Sequence, residues 1–187
     1  MSPVKLIKPK RFEDDRGWFT EVYTQKIFAD MGISVQFVQD NHSLSKPVGT
    51  IRGLHFQRPP RGQDKLVRCI AGRILDVAVD LRKGSPTYGQ YVAAELSAQN
   101  GHQLYIPIGF GHGFATLEPN CEITYKVSDT YAPDCDGGIR WDDETIAIDW
   151  QLPVGVVPTL SGKDTVLPLL KDFDSPFVYD GTPLVSL

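Results

Sequence analysis

A small number of side chains, scattered along the chain, have the types that proton transfer to and from carbon requires. His55 lies in the run GTIRGLHFQ, from Gly49 to Gln57. Read as a strand, the run puts Ile51, Gly53, His55 and Gln57 on one face and Arg52, Leu54, Phe56 and Arg58 on the other. An imidazole placed among small and apolar neighbours can serve as base or ligand. A lone strand histidine is more commonly a core residue bonded to a backbone carbonyl, so its role depends on what converges on it. Tyr125 lies on the apolar face of its strand, where a phenol needs a polar partner or a ligand. The plainer alternative is a core tyrosine with its hydroxyl at the rim. Lys65 opens a strand face otherwise made of Val67 and Cys69, and reads equally as a lysine reaching solvent from a strand end. Asp164 follows Ser161 by three residues in a weak capping-box echo, so a helix cap competes with a chemical role. His112 follows PIGFG in a tight turn.

These groups can meet only if short strands bring them together. Thr24, Ile27, Phe28, Met31 and Gly32 give the cap, apolar stripe and stop of one early helix. Val35 to Gln39 reads as a strand entering a polar Asp40-Asn41-His42 turn. RPPRGQD is a loop by composition, and Lys65 to Ile70 is the next strand. From Arg73 to Leu81 the period is clean: Leu75, Val77, Val79 and Leu81 alternate with Asp76, Ala78 and Asp80, so one face is core. Tyr88 to Leu96, Leu104 to Pro107 and Cys121 to Ser128 are further strands, with Asn100-Gly101 a strong turn signal. Gly109-Phe110-Gly111 bends the chain before His112. Gly and Pro, 17 and 14 in number, punctuate the whole length. Short, evenly spaced strands of this kind predict a mainly β fold, an antiparallel sandwich or jelly-roll barrel with a few short helices.

The totals bound the function. A chain of 187 residues suggests a single domain spanning 1–187 with a substantial core. The N-terminal arm, about 1–47, and a Pro-rich C-terminal segment, about 151–187, are expected to pack on the barrel. A formal charge of −4 argues against nucleic acid or an anionic membrane as partner. Cys69, Cys121 and Cys135 lack metal-type spacing and fit a reduced, cytoplasmic setting. No signal-peptide h-region and no membrane-spanning apolar run is present.

The run GHQLYIPIGFGH, from Gly101 to His112, has the spacing G-x5-P-x-G-x2-H. It resembles the second motif of the cupin superfamily of small jelly-roll barrels. In metal-binding cupins the first motif supplies two histidines one residue apart. Here that place reads His55-Phe56-Gln57, so the ligand count fails and no metal is expected. Most of the chain, from about Arg16 to Leu167, closely resembles the dTDP-4-dehydrorhamnose 3,5-epimerase family. The pieces RGWFTEVY, FVQDNHS, GTIRGLHFQ, KLVRCIAG, ILDVAVDLRKGSPTYG, QLYIPIGFGHGF, YKVSDTYAP, IRWDD, IDW and SGKD carry the resemblance, in that order.

The resemblance implies a set of roles. His55 is the general base, Asp164 the carboxylate that pairs with it, and Asp76 a second candidate for that pairing. Tyr125 is the acid on the opposite face of the sugar, and Lys65 the cation near the developing enolate oxygen. Arg52 and His112 are further pocket contacts. Gln39, Asp40 and Asn41, with Arg16 and Glu21, match positions that bind the nucleotide-sugar. Tyr131 matches an aromatic that stacks on thymine, Lys163 a position near the nucleotide, and Asp136 a place where Glu often touches the substrate. Trp18 and Phe19 could close the site from a partner subunit, because the family is a homodimer with a swapped N-terminal strand. The implied substrate is a dTDP-4-keto-6-deoxyhexose, with no cofactor. Its C4 ketone acidifies C3 and C5, a His–Asp pair can take a proton there, and an ammonium beside O4 can stabilise the enolate. Phe56, Asp64, Gly111, Asp136 and WDDE depart from the family pattern. They leave open a relative that inverts C3 alone for an antibiotic sugar. A metal cupin and a non-catalytic sugar-nucleotide module are the more distant alternatives.

Overall fold

A computed structural model describes residues 3–185; the first and last two positions of the 1–187 span lie outside the described residues. In chain order the elements are β1 (Lys5–Ile7), β2 (Arg11–Asp14), β3 (Gly17–Thr20), α1 (Gln25–Asp30), β4 (Gln39–Ser45), β5 (Ile51–Gln57), β6 (Lys65–Ala71), β7 (Arg73–Asp80), β8 (Tyr91–Ser97), β9 (Gln103–Ile106), β10 (Phe110–Thr116), β11 (Cys121–Val127) and β12 (Asp136–Gly138). Two five-stranded antiparallel sheets face each other, one in the order β1-β9-β6-β11-β4, the other β12-β5-β10-β7-β8. β2 and β3 form a separate hairpin.

Three apolar clusters hold this arrangement. Val67, Cys69, Leu104, Ile106 and Ile123 from the first sheet meet Ile74, Ala78, Leu96, Phe110 and Phe114 from the second, filling one end of the barrel. On the outside of the second sheet, Ile51, Leu54, Leu75, Val77, Val79 and Leu81 are covered by Ile139, Ile146, Trp150, Leu170 and Phe177. On the outside of the first, Leu66 and Tyr105 are covered by Ile7, Phe28 and Ile33. Each sheet is therefore buried on both faces over part of its width. That explains β7, whose residues Ile74 to Asp80 are all at most 3% exposed. The alternation expected of it is real, but its second face is barrel interior rather than solvent, and Asp76 points into that interior.

Arg82 shows how the C-terminal segment is tied on. It is 0% exposed, donates to Asp80 Oδ1 and Oδ2 at 2.8 and 2.7 Å and to Thr182 O at 2.9 Å, and stacks 4.5 and 5.1 Å from the rings of Phe110 and Tyr179. A buried pair of this kind tolerates loss of neither member, at about 3–5 kcal/mol.

Several sequence expectations need correction. Val35 to Val38 is irregular, and Asp40-Asn41-His42 is no turn: all three lie inside β4. The stretch looked like a loop because neither face of β4 is apolar. One face lines a polar cavity and the other meets water. The first sheet thus takes both β1, paired with β9, and β4, paired with β11, from the N-terminal 47 residues. His112 is also not in a turn. The turn falls at Ile108-Gly109, and His112 is the third residue of β10. The expected helix is present as α1. Thr24 is its N-cap residue by position but makes no side-chain cap bond.

Candidate active site

The alternation predicted for GTIRGLHFQ breaks at Gly53. His112 pairs with His55 but Phe114 pairs with Arg52, so β5 carries one extra residue, a bulge. Gly53 takes φ +127°, and a Cβ there would lie 2.5 Å from Gly113 Cα. Only glycine allows this approach. The bulge turns Arg52 to the same side as His55, while Ile51, Leu54 and Phe56 join the outer core. The predicted partition of this strand between two faces was therefore wrong at Arg52 and Ile51.

His55 Nε2 donates to Asp164 Oδ1 at 2.5 Å. Asp164 is 1% exposed and begins a 3₁₀ turn, Asp164–Val166, that packs against β5. Its own backbone N–H donates to Ser161 Oγ at 3.2 Å, but the N-cap position of the turn is Lys163, which makes no side-chain cap bond, and the Asp164 carboxylate is left for His55. Burial, the largest influence on Asp164, works to raise its carboxyl pKa. The His55 hydrogen bond and charge, with Ser161 and Lys163, outweigh burial and hold it below the usual value. The carboxylate fixes the proton on Nε2 and leaves Nδ1 with the free lone pair.

His112 forms a second pair of the same composition, donating from Nε2 to Asp76 Oδ1 at 2.8 Å. Asp76 is therefore bonded to His112 and not to His55, and of the two candidate carboxylates Asp164 is the one in contact with His55. Burial pushes the His112 imidazole below its ordinary pKa, against the pull of Asp76. Asp76 Oδ2 is buried without a hydrogen-bond partner among the described residues.

Lys65 is 9% exposed and donates from Nζ to the His55 carbonyl at 3.3 Å. Burial pushes its ammonium down to about 8, with Asp76 and then Asp136 resisting. Its neighbour Asp64 is a buried anchor, accepting Tyr105 Oη at 2.7 Å and Ser128 Oγ at 3.1 Å, which fixes the start of β6. Burial raises the Tyr125 phenol, and Arg52 opposes that. Tyr125 faces Asn41 across the β11–β4 ladder.

His55, Lys65 and Tyr125 stand at the junction of two arms of one cavity. One arm, about 430 Å³, is lined by Gln39, Asn41, Gln57, Tyr131, Asp136 and Lys163 among others. The second, about 610 Å³, runs past Arg52, His112 and Asp164 to Ser43, Ser45, Thr50 and Thr159. In the first arm Lys163 Nζ donates to Asp136 Oδ2, and Tyr131 Oη donates to the same oxygen at 3.5 Å. Sequence reasoning missed what holds Tyr131. Gln57 Oε1 accepts Ala132 N at 2.7 Å, and Arg61 donates to Asp129 at 2.5 and 2.6 Å. These partners lie 75 and 68 residues apart, and no local pattern signals them.

Four predicted contacts lie elsewhere. Asp40 points to the opposite face of β4 from Gln39 and Asn41 and pairs with Lys126 at 2.9 Å. Arg16, with a side chain 89% exposed, bonds Asp14 on the β2–β3 hairpin. Phe19 is 65% exposed on the same hairpin, and Glu21 follows it, exposed. None of these three lines the cavity of its own chain. Among the described residues no three His, Cys, Asp or Glu side chains converge as a metal ion would require.

A carboxylate-oriented imidazole, a phenol and a buried ammonium around one polar cavity can take a proton, return one and hold an anion between the two events. The molecule is in this sense an acid–base enzyme on a cupin-type jelly-roll barrel. The sequence profile of the dTDP-4-dehydrorhamnose 3,5-epimerase family matches residues 1–172, and the chain belongs to that family. It is 52% identical to the Salmonella typhimurium dTDP-4-dehydrorhamnose 3,5-epimerase over 89% of this chain and 90% of that protein. With the Sinorhizobium fredii enzyme of the same name it shares 50% identity, over 96% and 91% of the two chains. Among solved structures, the Legionella pneumophila dTDP-6-deoxy-D-glucose-3,5-epimerase in complex with dTDP-4-keto-L-rhamnose superposes with TM-score 0.89, at 42% identity, over 95% and 94% of the chains. The Bacillus anthracis dTDP-4-dehydrorhamnose 3,5-epimerase with TDP and PPi bound gives 0.85, at 49% identity, over 89% and 93%.

Proposed function

We propose that the protein converts dTDP-4-dehydro-6-deoxy-D-glucose to dTDP-4-dehydro-L-rhamnose by inverting C3 and C5, with no cofactor. His55 removes the proton next to the C4 ketone, Asp164 stabilising the imidazolium that results. Lys65, as ammonium, holds the enolate oxygen. Tyr125 returns a proton to the other face. The observation that carries this reading is the meeting of His55, Lys65 and Tyr125 at one cavity junction, with Asp164 behind the imidazole. Relatives solved with TDP and with dTDP-4-keto-L-rhamnose support the substrate class.

The nucleotide enters the arm of Tyr131 and Lys163, with thymine on the Tyr131 ring. Gln39, Asn41, Arg52, His112 and Asp136 complete the contacts. The chain acts as a homodimer, and the β2–β3 hairpin reaches the partner's cavity with Arg16, Phe19 and Glu21. The hairpin's exposed Phe12, Trp18 and Phe19, at 51, 53 and 65%, support this assembly. Three free cysteines fit a cytoplasmic setting. Product NMR after incubation with dTDP-4-dehydro-6-deoxyglucose tests the reading. Inversion at both carbons is expected, and unchanged substrate beside tight dTDP binding would replace the enzyme with a binding module.

A further inference from the structure

The outer part of the larger arm, beyond Arg52, His112 and Asp164, has no role in the reading above, which otherwise accounts for the nucleotide arm and the junction. It is lined near Tyr125 by Ser43 and Ser45, and it opens to solvent past the exposed Lys46, Thr159 and Ser161. Gln39, Asn41, Ser43 and Ser45 are the inward residues of β4, so one polar ladder runs from the nucleotide arm, past Tyr125, into this second arm.

Proton bookkeeping gives the arm a task, and the task rests on the proposed double inversion. In the D-gluco ketone the hydrogens on C3 and C5 project from the same face of the ring. One base and one opposed acid therefore serve both carbons. The first inversion breaks a C–H bond into His55 and makes a C–H bond from the Tyr125 hydroxyl. His55 is left as imidazolium and Tyr125 as phenolate. Neither can act on the second carbon until one proton has passed from the first to the second. Among the described residues Tyr125 makes no protein hydrogen bond through which that proton could return. While the sugar is held, its own nucleotide fills the other arm.

We propose that the second arm is a proton port: water in it carries the proton from His55 back to Tyr125 while the nucleotide stays bound, so that one binding event inverts two carbons. Ser43, half-buried beside the Tyr125 strand, is a position at which a larger apolar side chain would narrow the port without touching the nucleotide arm. The test is a single-turnover experiment in heavy water, with enzyme in excess, comparing wild type, Ser43→Ala, Ser43→Leu and Thr159→Leu. Ser43→Ala should behave as wild type. Ser43→Leu should bind dTDP within about twofold of wild type and perform the first inversion within about threefold. Its second inversion should slow by about tenfold or more, so that singly inverted ketosugar accumulates. Thr159→Leu, at the outer mouth, should split the two steps in the same direction. The port is overturned if neither Leu variant separates the two inversions, whether both run at the wild-type rate or both slow alike. Wild-type protein that inverts neither carbon would overturn the epimerase reading itself, and the port with it.

Discussion

His55 and His112 lie opposite each other on the β5–β10 ladder, and each is bonded through Nε2 to an aspartate. The His55 side chain is 30% exposed, and its aspartate arrives from the C-terminal segment. The His112 side chain is 9% exposed, and its aspartate comes from β7, the next strand of the same sheet. The same two residue types thus give one pair whose imidazole stands well into the cavity and one whose imidazole is nearly buried in its wall. Burial holds His112 below its ordinary pKa, which suits a neutral ring, while the second oxygen of Asp76 is left to favour the Lys65 ammonium. Access and connectivity, not composition, distinguish the pair proposed to transfer protons from the buried one.

The comparison can be broken most sharply at the exposed pair. His55→Asn and Tyr125→Phe should each lower kcat by about 10²–10⁴-fold, as loss of a proton-transfer group does, with dTDP affinity little changed. Lys65→Met should cost about 10²–10³-fold in kcat, the size expected for a donor at a developing oxyanion. Steady-state rates by product NMR check both. The inner pair should behave differently. In the proposed role Lys65 acts as ammonium, and burial pushes its pKa down to about 8, so activity should be lost as pH rises through about 8. Asp76 is the foremost charge keeping that ammonium protonated, and its removal leaves burial unopposed by it. Asp76→Asn should therefore move the basic limb of the kcat profile to lower pH, with the acidic limb in place. An unmoved basic limb would deny Asp76 this part. The smallest effect belongs to Asp40. It meets Lys126 on the far face of β4, so Asp40→Ala should change kcat/KM by less than about twofold, in keeping with an exposed ion pair.

Much of this site could be read before the fold was known, because its chemistry is concentrated in short motifs. Lys65 and Tyr125 lie where period-2 alternation puts them, whereas the helical turn expected from Ser161 begins only at Asp164. What escaped has physical causes. The bulge at Gly53 shifts register by one residue, which local alternation cannot reveal, and it alone brings Arg52 to the His55 side. β4 lacks an apolar face, so its strand character comes wholly from pairing with β11, and propensity misread Asp40-Asn41-His42 as a turn. Asp76 could not be given to one histidine over the other from the sequence, because the choice depends on the register of β10 between β5 and β7. The Gln57 and Arg61–Asp129 contacts that hold the Tyr131 loop are long-range and leave no local trace.

Proton exchange at carbon is the step on which every role above depends. Incubating wild-type protein with dTDP-4-dehydro-6-deoxyglucose in heavy water and reading C3 and C5 by NMR tests it directly. The inverted product should carry solvent deuterium at both carbons, and His55→Asn should abolish the uptake. Inverted product that keeps its original hydrogens, or undiminished exchange in His55→Asn, would contradict the account.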